Sequence, residues 1–416
     1  MEAAVQQGLL GEDHLLAGFL DVDNIRQTVA ELQAAFGEHF THTFAAKANC
    51  LVRVLSLLRQ QGMGCEVASP GELQQALSAG FPADTIVFDS PAKTQGEIRA
   101  ALELGIALNI DNFQELARVR AALAVQSSSS VIGFRLNPQV GVGTIAAMST
   151  ATHTSKFGVP LEENRMQLLE VYLHHPWLIG VHTHIGSQGC PFELVAHGIE
   201  KMVLFAEEIN TRAGRRQVQV IDIGGGLPVN FASDEVSPTF SDYAQFLHTV
   251  IPQLFSGQYR VITEFGRAIL AKNGFLAARV EYTKTAGDRH IAITHAGAQT
   301  ATRTVFMPDM WAIRISVCDS AGRAKNHEKI PQDIVGPCCF AGDIIAHDRL
   351  LPLTEPGDFI LAHDTGAYYF STPFHYNSLP RIAVYGFTIA EDGTVAFEVF
   401  RAEETLAQIV ASSSAP

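Results

Sequence analysis

The chain has 416 residues and no apolar run approaching the roughly 20 residues of a membrane span, and Met1 to Gly11 show no basic-then-apolar leader. The cytoplasm is the expected compartment. Positive charge is also scarce. The 29 Lys and Arg against 43 Asp and Glu give a formal net charge of −14, without a block of one sign. That balance argues against nucleic acid or an anionic membrane surface as the main partner. Cysteines number only six, and no Cys-x-x-Cys pair suggests a metal centre. Free thiols in a reducing compartment are expected, and Cys338-Cys339 is the one adjacent pair.

The length, with 47% hydrophobic residues, allows one large domain and a smaller one, each with its own core. From residue 20 onward, short strand-like runs alternate with amphipathic helical patterns. The runs are 41–46, 65–69, 85–90, 107–111, 131–137, 179–186, 220–224 and 261–264, eight in all. Between them Leu51, Val54, Leu55 and Leu58 show helical spacing, as do Leu73, Ala76 and Leu77, and then Ile98, Ala101 and Leu102. Ser69-Pro70-Gly71-Glu72 reads as a capping box with proline at the first helical position. Parallel strands need crossover helices, so eight βα repeats predict an α/β fold, a (β/α)8 TIM barrel over residues 20–270.

After about residue 272 the strand candidates 275–284, 290–294, 311–317, 358–362, 381–388 and 394–400 follow with few helical stretches. Asp392-Gly393 marks a hairpin turn. A second, mainly antiparallel β domain is expected over 271–410, with the residues ahead of the barrel packing on it and 411–416 as a frayed tail.

Barrel active sites lie at the C-terminal ends of the strands. There the sequence supplies Lys47, Glu66, Asp89, Asp111, Arg135 with Asn137, His184 with Ser187, Gly224-Gly225-Gly226, and Glu264 with Arg267. Taken singly, each has an ordinary reading: a snorkelling surface lysine, a satisfied core histidine, a glycine turn, a structural Glu/Arg pair. Taken together they offer an amine nucleophile, an imidazole, an anion-binding glycine run and a carboxylate on one rim. That set suits an aldehyde cofactor bearing a phosphate.

These residues carry a resemblance to the barrel-type (fold type III) pyridoxal-phosphate-dependent amino-acid decarboxylases, with the diaminopimelate branch nearer than the ornithine branch. It runs over roughly residues 17 to 390, through FAAKAN (44–49), EVASPGEL (66–73), KT (93–94), SKFG (155–158), HTHIGSQ (182–188), DIGGGL (222–227), EFGR (264–267), GPCCFAGD (336–343) and TGAYYF (365–370). The resemblance implies α-decarboxylation of an amino acid with pyridoxal 5'-phosphate, and no metal. Lys47 would carry the cofactor as a Schiff base, His184 would stack on its ring, and Glu264 would pair with the ring nitrogen. Ser187, Gly224, Gly225, Gly226, Gly266, Arg267 and Tyr368 would surround the phosphate or the substrate carboxylate beside it. Cys339 would act as proton donor from the neighbouring subunit of a homodimer, Asp343 closes the same motif, and Cys338 is expected to be inert.

The sequence departs from the family at Phe265, where proline is usual, and at Phe340, where an acidic residue usually addresses the far end of the substrate. Arg303 is a candidate for a distal carboxylate, although Thr304 and Met307 replace the proline and tyrosine expected after it. The expected substrate is a diamino acid of the diaminopimelate, D- or L-lysine or ornithine type, or a related biosynthetic intermediate. An amino-acid racemase on the same barrel would want a cationic partner at the ring nitrogen, against Glu264. A non-catalytic relative would be expected to lack Lys47 or the glycine run.

Overall fold

Several of the short apolar runs are buried along their whole length, as in Gly64–Val67, Ile86–Asp89 and Ala107–Ile110. Strands of that kind need cover on both faces, which parallel pairing inside a ring of helices provides. In a computed structural model, residues 1–414 are described. Internal contacts divide the chain into two compact units, one of Thr28–Val229 with Val236–Ala268, the other of Met1–Gln27, Asn230–Glu235 and Ile269 onward.

After β1 (Leu16–Asp21), which belongs to the second unit, the strands of the first are β2 (Phe40–Ala45), β3 (Gly64–Val67), β4 (Ile86–Asp89), β5 (Ala107–Ile110), β6 (Ile132–Asn137), the two-residue β7 (Val159–Pro160), β8 (Leu178–His182), β9 (Val220–Asp222) and β10 (Arg260–Phe265). Neighbours run β5-β4-β3-β2-β10-β9-β8-β6, and a β5–β6 pairing closes the ring; β7 adds only to the end of β6. This is the closed, eight-stranded parallel barrel expected. The helix over Pro70–Ser78 starts as read from its cap: Ser69 accepts the Glu72 N–H. The returning Glu72 carboxylate takes the N–H of Ala68 instead of that of Ser69.

The barrel interior is layered by the two-residue period of its strands. Val87, Ala107, Val220 and Ile262 form one buried apolar cluster drawn from β4, β5, β9 and β10. Two residues further along the same strands stand Asp89, Asn109, Asp222 and Glu264, all buried. An apolar floor therefore supports a polar layer at the C-terminal end.

In the second unit β1 pairs antiparallel with β11 (Gly274–Ala286) and parallel with β17 (Ala383–Ile389). The remaining strands are β12 (Arg289–Thr294), β13 (Ile315–Cys318), β14 (Lys329–Val335), β15 (Ile344–Pro352), β16 (Phe359–Ala362) and β18 (Val395–Arg401). Most pairings are antiparallel, with β12–β14 the other parallel one. The first residues pack in this unit: Ala4, Leu10, Ala17 and Phe19 share a core with Ala277, Cys318, Phe359 and Leu361. The β17–β18 connection turns at Gly393, where φ is 84°. β1, β14 and β15 lie outside the strand candidates, and Ala411 and Ser412, expected to fray, are the last residues of a helix over Leu406–Ser412 capped by Thr405. Ala415 and Pro416 lie outside the described residues.

Lys93, from the KT motif, ties barrel elements together. Its fully buried ammonium donates to the carbonyls of Ser90 at 2.6 Å and Asn109 at 2.7 Å and pairs with Glu115 at 3.0 Å. Removing one partner of such a pair strands the other charge. Lys93→Ala is expected to lower the unfolding free energy by about 3–5 kcal/mol in urea denaturation.

Candidate active site

β2 ends at Ala45, and the next turn, Ala46–Ala48, carries Lys47. The flanking alanines are buried while the lysine side chain stays 43% exposed, which sets the amine on the rim. Gly266, just past β10, abuts this turn: a Cβ there would come within 2.9 Å of the Ala48 Cβ. Lys47 Nζ donates to Glu66 Oε2 at 2.5 Å. Burial pushes the Glu66 carboxyl up to about 8, against the pull of the Lys47 cation, and Glu264 and Asp89 add to the rise. A carboxyl that exchanges its proton near neutral pH thus stands beside the amine.

Deeper in the barrel, Asp89 Oδ2 accepts from Arg135 Nη1 at 2.6 Å. His182 follows, fully buried, with Nδ1 3.8 Å from Asp89 Oδ1 and Nε2 3.6 Å from Glu264 Oε2. Burial opposes ionisation of Glu264, yet His182 and next Lys47 hold its carboxyl far below the usual range. Burial, and next the charge of Glu264, drive Asp222 the other way, so it keeps its proton. Two carboxyls of one layer therefore take opposite charge states. Glu264 Oε1 is buried without a hydrogen-bond partner among the described residues. Phe265, in place of the usual proline, stays in register with Phe44 and packs edge-on against Phe240 at 5.1 Å.

β8 ends at His182, short of the run over 179–186, so His184 and Ser187 stand in a loop. The Gly225 N–H donates to His184 Nδ1 at 3.1 Å, which places the imidazole proton on Nε2. Burial, then Arg135 and Lys47, lower His184 to about 3, so it is neutral at physiological pH. The glycine run serves less as an anion cradle than its composition suggests: Gly224 gives its N–H to Asp222 and Gly225 to His184. What the glycines permit is close backbone approach, since a Cβ at Gly226 would sit 2.1 Å from the Gly186 carbonyl oxygen. Paired bonds between the Gln188 side chain and the Val229 backbone, at 2.7 and 3.0 Å, tie the same two loops together. Arg267, mostly buried, opens the short helix after β10.

The other expected residues lie in the second unit. Arg303 is held between the rings of Tyr368, at 4.2 Å, and Trp311, at 5.4 Å, with a buried Nη1 that has no hydrogen-bond partner among the described residues. Tyr368 itself adopts φ 66°, an uncommon backbone for a bulky side chain. Phe340 stacks on Phe306 at 5.6 Å and meets Tyr376 edge-on at 5.5 Å. Cys339 is exposed and Cys338 buried, its thiol pushed up to about 11 by burial and Asp343. Asp343, which closes the same motif, is buried. Its oxygens accept the N–H groups of Ala298 at 2.6 Å and Cys338 at 2.7 Å, so this carboxylate holds its loop together.

Residues 22–271 match the family described as pyridoxal-dependent decarboxylase, pyridoxal binding domain. The chain belongs to the pyridoxal-dependent decarboxylases. The diaminopimelate decarboxylase of Pseudomonas fluorescens is 33% identical over 374 residues, covering 89% of this chain and 86% of that protein. Among solved structures, Helicobacter pylori diaminopimelate decarboxylase complexed with L-lysine superposes with a TM-score of 0.83 at 30% identity, over 96% of each chain. Lysine/ornithine decarboxylase from Vibrio vulnificus complexed with putrescine gives 0.77 at 25% identity, over 92% of this chain and 96% of the other. The protein is accordingly a carboxy-lyase of amino acids that uses pyridoxal phosphate. No helix among the described residues is long and apolar enough to cross a membrane.

The barrel residues fit that cofactor. An ionised carboxylate with an unfilled oxygen suits a protonated ring nitrogen, a rim amine suits an aldehyde, and close-packed glycine loops with Ser187 and Arg267 suit a phosphate. Glu66, Asp89, Arg135 and His182 complete the charge balance around them. Of these, His182 is the one that sequence reasoning misses in favour of His184, although both stand in HTHIGSQ.

Because the folded-state carboxyl of Glu66 lies above its unfolded value, its contribution is present at low pH and lost as pH rises toward and through about 8. Between pH 5 and pH 9 the cofactor-free wild type should lose about 1 kcal/mol or more of stability relative to Glu66→Gln, read by urea denaturation at each pH.

Proposed function

We propose that the protein removes the α-carboxylate of a diamino acid whose far end carries a second carboxylate, either diaminopimelate or a carboxylate-bearing biosynthetic intermediate. The observation that carries the reaction is the presence at one end of the barrel of a rim amine, Lys47, and a buried carboxylate held ionised, Glu264. When bound, pyridoxal phosphate supplies the electron sink for the pair left by departing carbon dioxide. Lys47 Nζ would hold the cofactor through its aldehyde, and Glu66 is placed to exchange a proton at that nitrogen. Glu264 would face the ring nitrogen and keep it protonated. His184, neutral and fixed through Nδ1, would present its ring to the cofactor without adding charge. Ser187, Gly224, Gly225, Gly226, Gly266, Arg267 and Tyr368 are proposed around the phosphate and the reacting carboxylate.

For the far end of the substrate, Arg303 supports a carboxylate: its guanidinium is preorganised by two rings and keeps an unfilled N–H. Phe340 supports the same reading by subtraction, because a phenyl group stacked on Phe306 offers nothing to an ammonium that seeks a carboxylate. The solved relatives named with L-lysine and putrescine frame the comparison, since their ligands are a diamino acid and a diamine. A racemase is disfavoured by the ionised state of Glu264. We further propose a cytoplasmic homodimer, in which the partner's Cys339 is the proton donor at the α-carbon and Cys338 is a passive core thiol.

Reconstituted wild type should show the visible Lys–cofactor band and Lys47→Ala should lose it; a retained band would remove Lys47 from its role. Cys339→Ala should lower turnover or divert product to aldehyde, while Cys338→Ala changes turnover little. Equal losses would count against the assignment. In a substrate panel monitored by carbon dioxide release and amine identification, substrates with a distal carboxylate should exceed lysine and ornithine, and Arg303→Ala should erase that preference through KM.

A further inference from the structure

His182 has no role in the reading above, yet it is the most enclosed ionisable group of the polar layer, with 0% side-chain exposure. Each ring nitrogen faces a carboxylate, Asp89 at 3.8 Å and Glu264 at 3.6 Å, and neither nitrogen has a hydrogen-bond partner among the described residues. Carboxylates that are ionised can only accept, and a neutral imidazole would turn one nitrogen lone pair toward an anion. Only the form with N–H on both sides suits both neighbours.

The surrounding charges give the same answer. Arg135 on β6 neutralises Asp89 on β4 at 2.6 Å. Asp222, beside His182 in register on β9, keeps its proton because of burial and Glu264. At the rim, Lys47 pairs with Glu66 and His184 is neutral. Lys47 acts on Glu264 from the partly exposed rim, whereas inside the buried layer His182 is the group placed against Glu264 to supply a cation, and an unpaired buried charge is costly.

We propose that His182 is a positioning residue for Glu264: held as an imidazolium between Asp89 and Glu264, it keeps Glu264 a weak base, so that the cofactor's ring nitrogen and not the carboxylate carries the shared proton. The inference rests on the reading that Glu264 faces that nitrogen. Without the cation, Glu264 becomes the stronger base, the proton moves toward its oxygen, and the ring loses electron-withdrawing power. The device works through charge, and a residue that merely filled space would not produce it.

The test uses holoenzyme reconstituted with cofactor labelled with nitrogen-15 in the ring. In wild type the ring-nitrogen signal should sit at the protonated position. In His182→Gln, which retains a side-chain N–H but not the charge, it should move toward the unprotonated position, and kcat should fall by about tenfold, the factor that one unit of proton affinity represents. Glu264→Gln is the control for the underlying reading. If it leaves the ring signal unmoved, Glu264 does not address the ring and the reading itself fails. If it moves the signal while His182→Gln does not, this inference alone is overturned. A second measurement needs no variant: in histidine-labelled wild type, with and without cofactor, His182 should show both ring nitrogens protonated across pH 6–8. A single neutral tautomer there overturns the proposal even if His182→Gln fails to fold.

Discussion

The constraint on which this barrel depends is a negative charge kept where burial would extinguish it. Glu264 is 3% exposed at its side chain, and a lone carboxylate in such a place would bind a proton. The protein answers with an alternation of basic and acidic groups across the barrel: Arg135, Asp89, His182, Glu264. Asp222 belongs to the same layer but stays protonated, because a third anion would find no cation. The arrangement separates the two carboxyls by environment and not by residue type. A carboxylate that faces a pyridine nitrogen needs that separation, since its usefulness lies in the charged form.

The fold makes the alternation possible through the period of a strand. Asp89, Asn109, Asp222 and Glu264 each follow, by two residues, an apolar side chain of the floor: Val87, Ala107, Val220 and Ile262. Opposite strands thereby deliver their polar groups to one level; the Asn109 amide donates to Asp222 across the barrel at 3.5 Å. The floor excludes water from below, so charges in the layer interact at close to interior strength. Above it, glycine loops let the chain ends of β9 and β10 crowd together, and a Cβ on Gly225 would lie 2.2 Å from the carbonyl oxygen of Glu264. Packing therefore holds the backbone of Glu264, and electrostatics hold its charge.

Much of this is legible in the sequence because the barrel repeats one local pattern. Apolar runs of strand length recur with helical spacing between them, and the eight resulting strands lie within a few residues of the expected ranges. Elements whose partners are distant in sequence are not legible. β1 reads as a short apolar run, and only its pairing with β11 and β17 makes it a central strand. β14 and β15 include Pro331, His347, Asp348 and Arg349, which mask their alternation, and their pairing contains register shifts. In the candidate site, residue types are readable but partners are not. β10, which carries Glu264, lies beside β2, yet the amine of Lys47 hydrogen-bonds Glu66 of β3 on the other side of β2. Two of the three glycine amides read as anion donors, those of Gly224 and Gly225, are engaged by Asp222 and His184, a fact that depends on loop geometry.

The departure at Phe340 shows how a single unexpected residue gains meaning from its surroundings. A phenyl group replacing an acid in isolation would be a mismatch in a polar loop, tolerated or not. Here it stacks on Phe306 with an interplanar angle of 2°, Phe306 meets Phe374 edge-on, and Tyr376 completes the group against Phe340. Aromatic pairs of this geometry add about 0.5–1.5 kcal/mol each beyond area burial, so the loop is built around the ring and does not merely accommodate it. Asp343, three residues on, anchors the same loop by accepting two backbone N–H groups, and Gly297 and Gly336 leave room for its carboxylate. Negative charge in this loop is thus spent internally at Asp343 and absent at Phe340, while the guanidinium of Arg303 in the same unit keeps a buried N–H with no hydrogen-bond partner among the described residues.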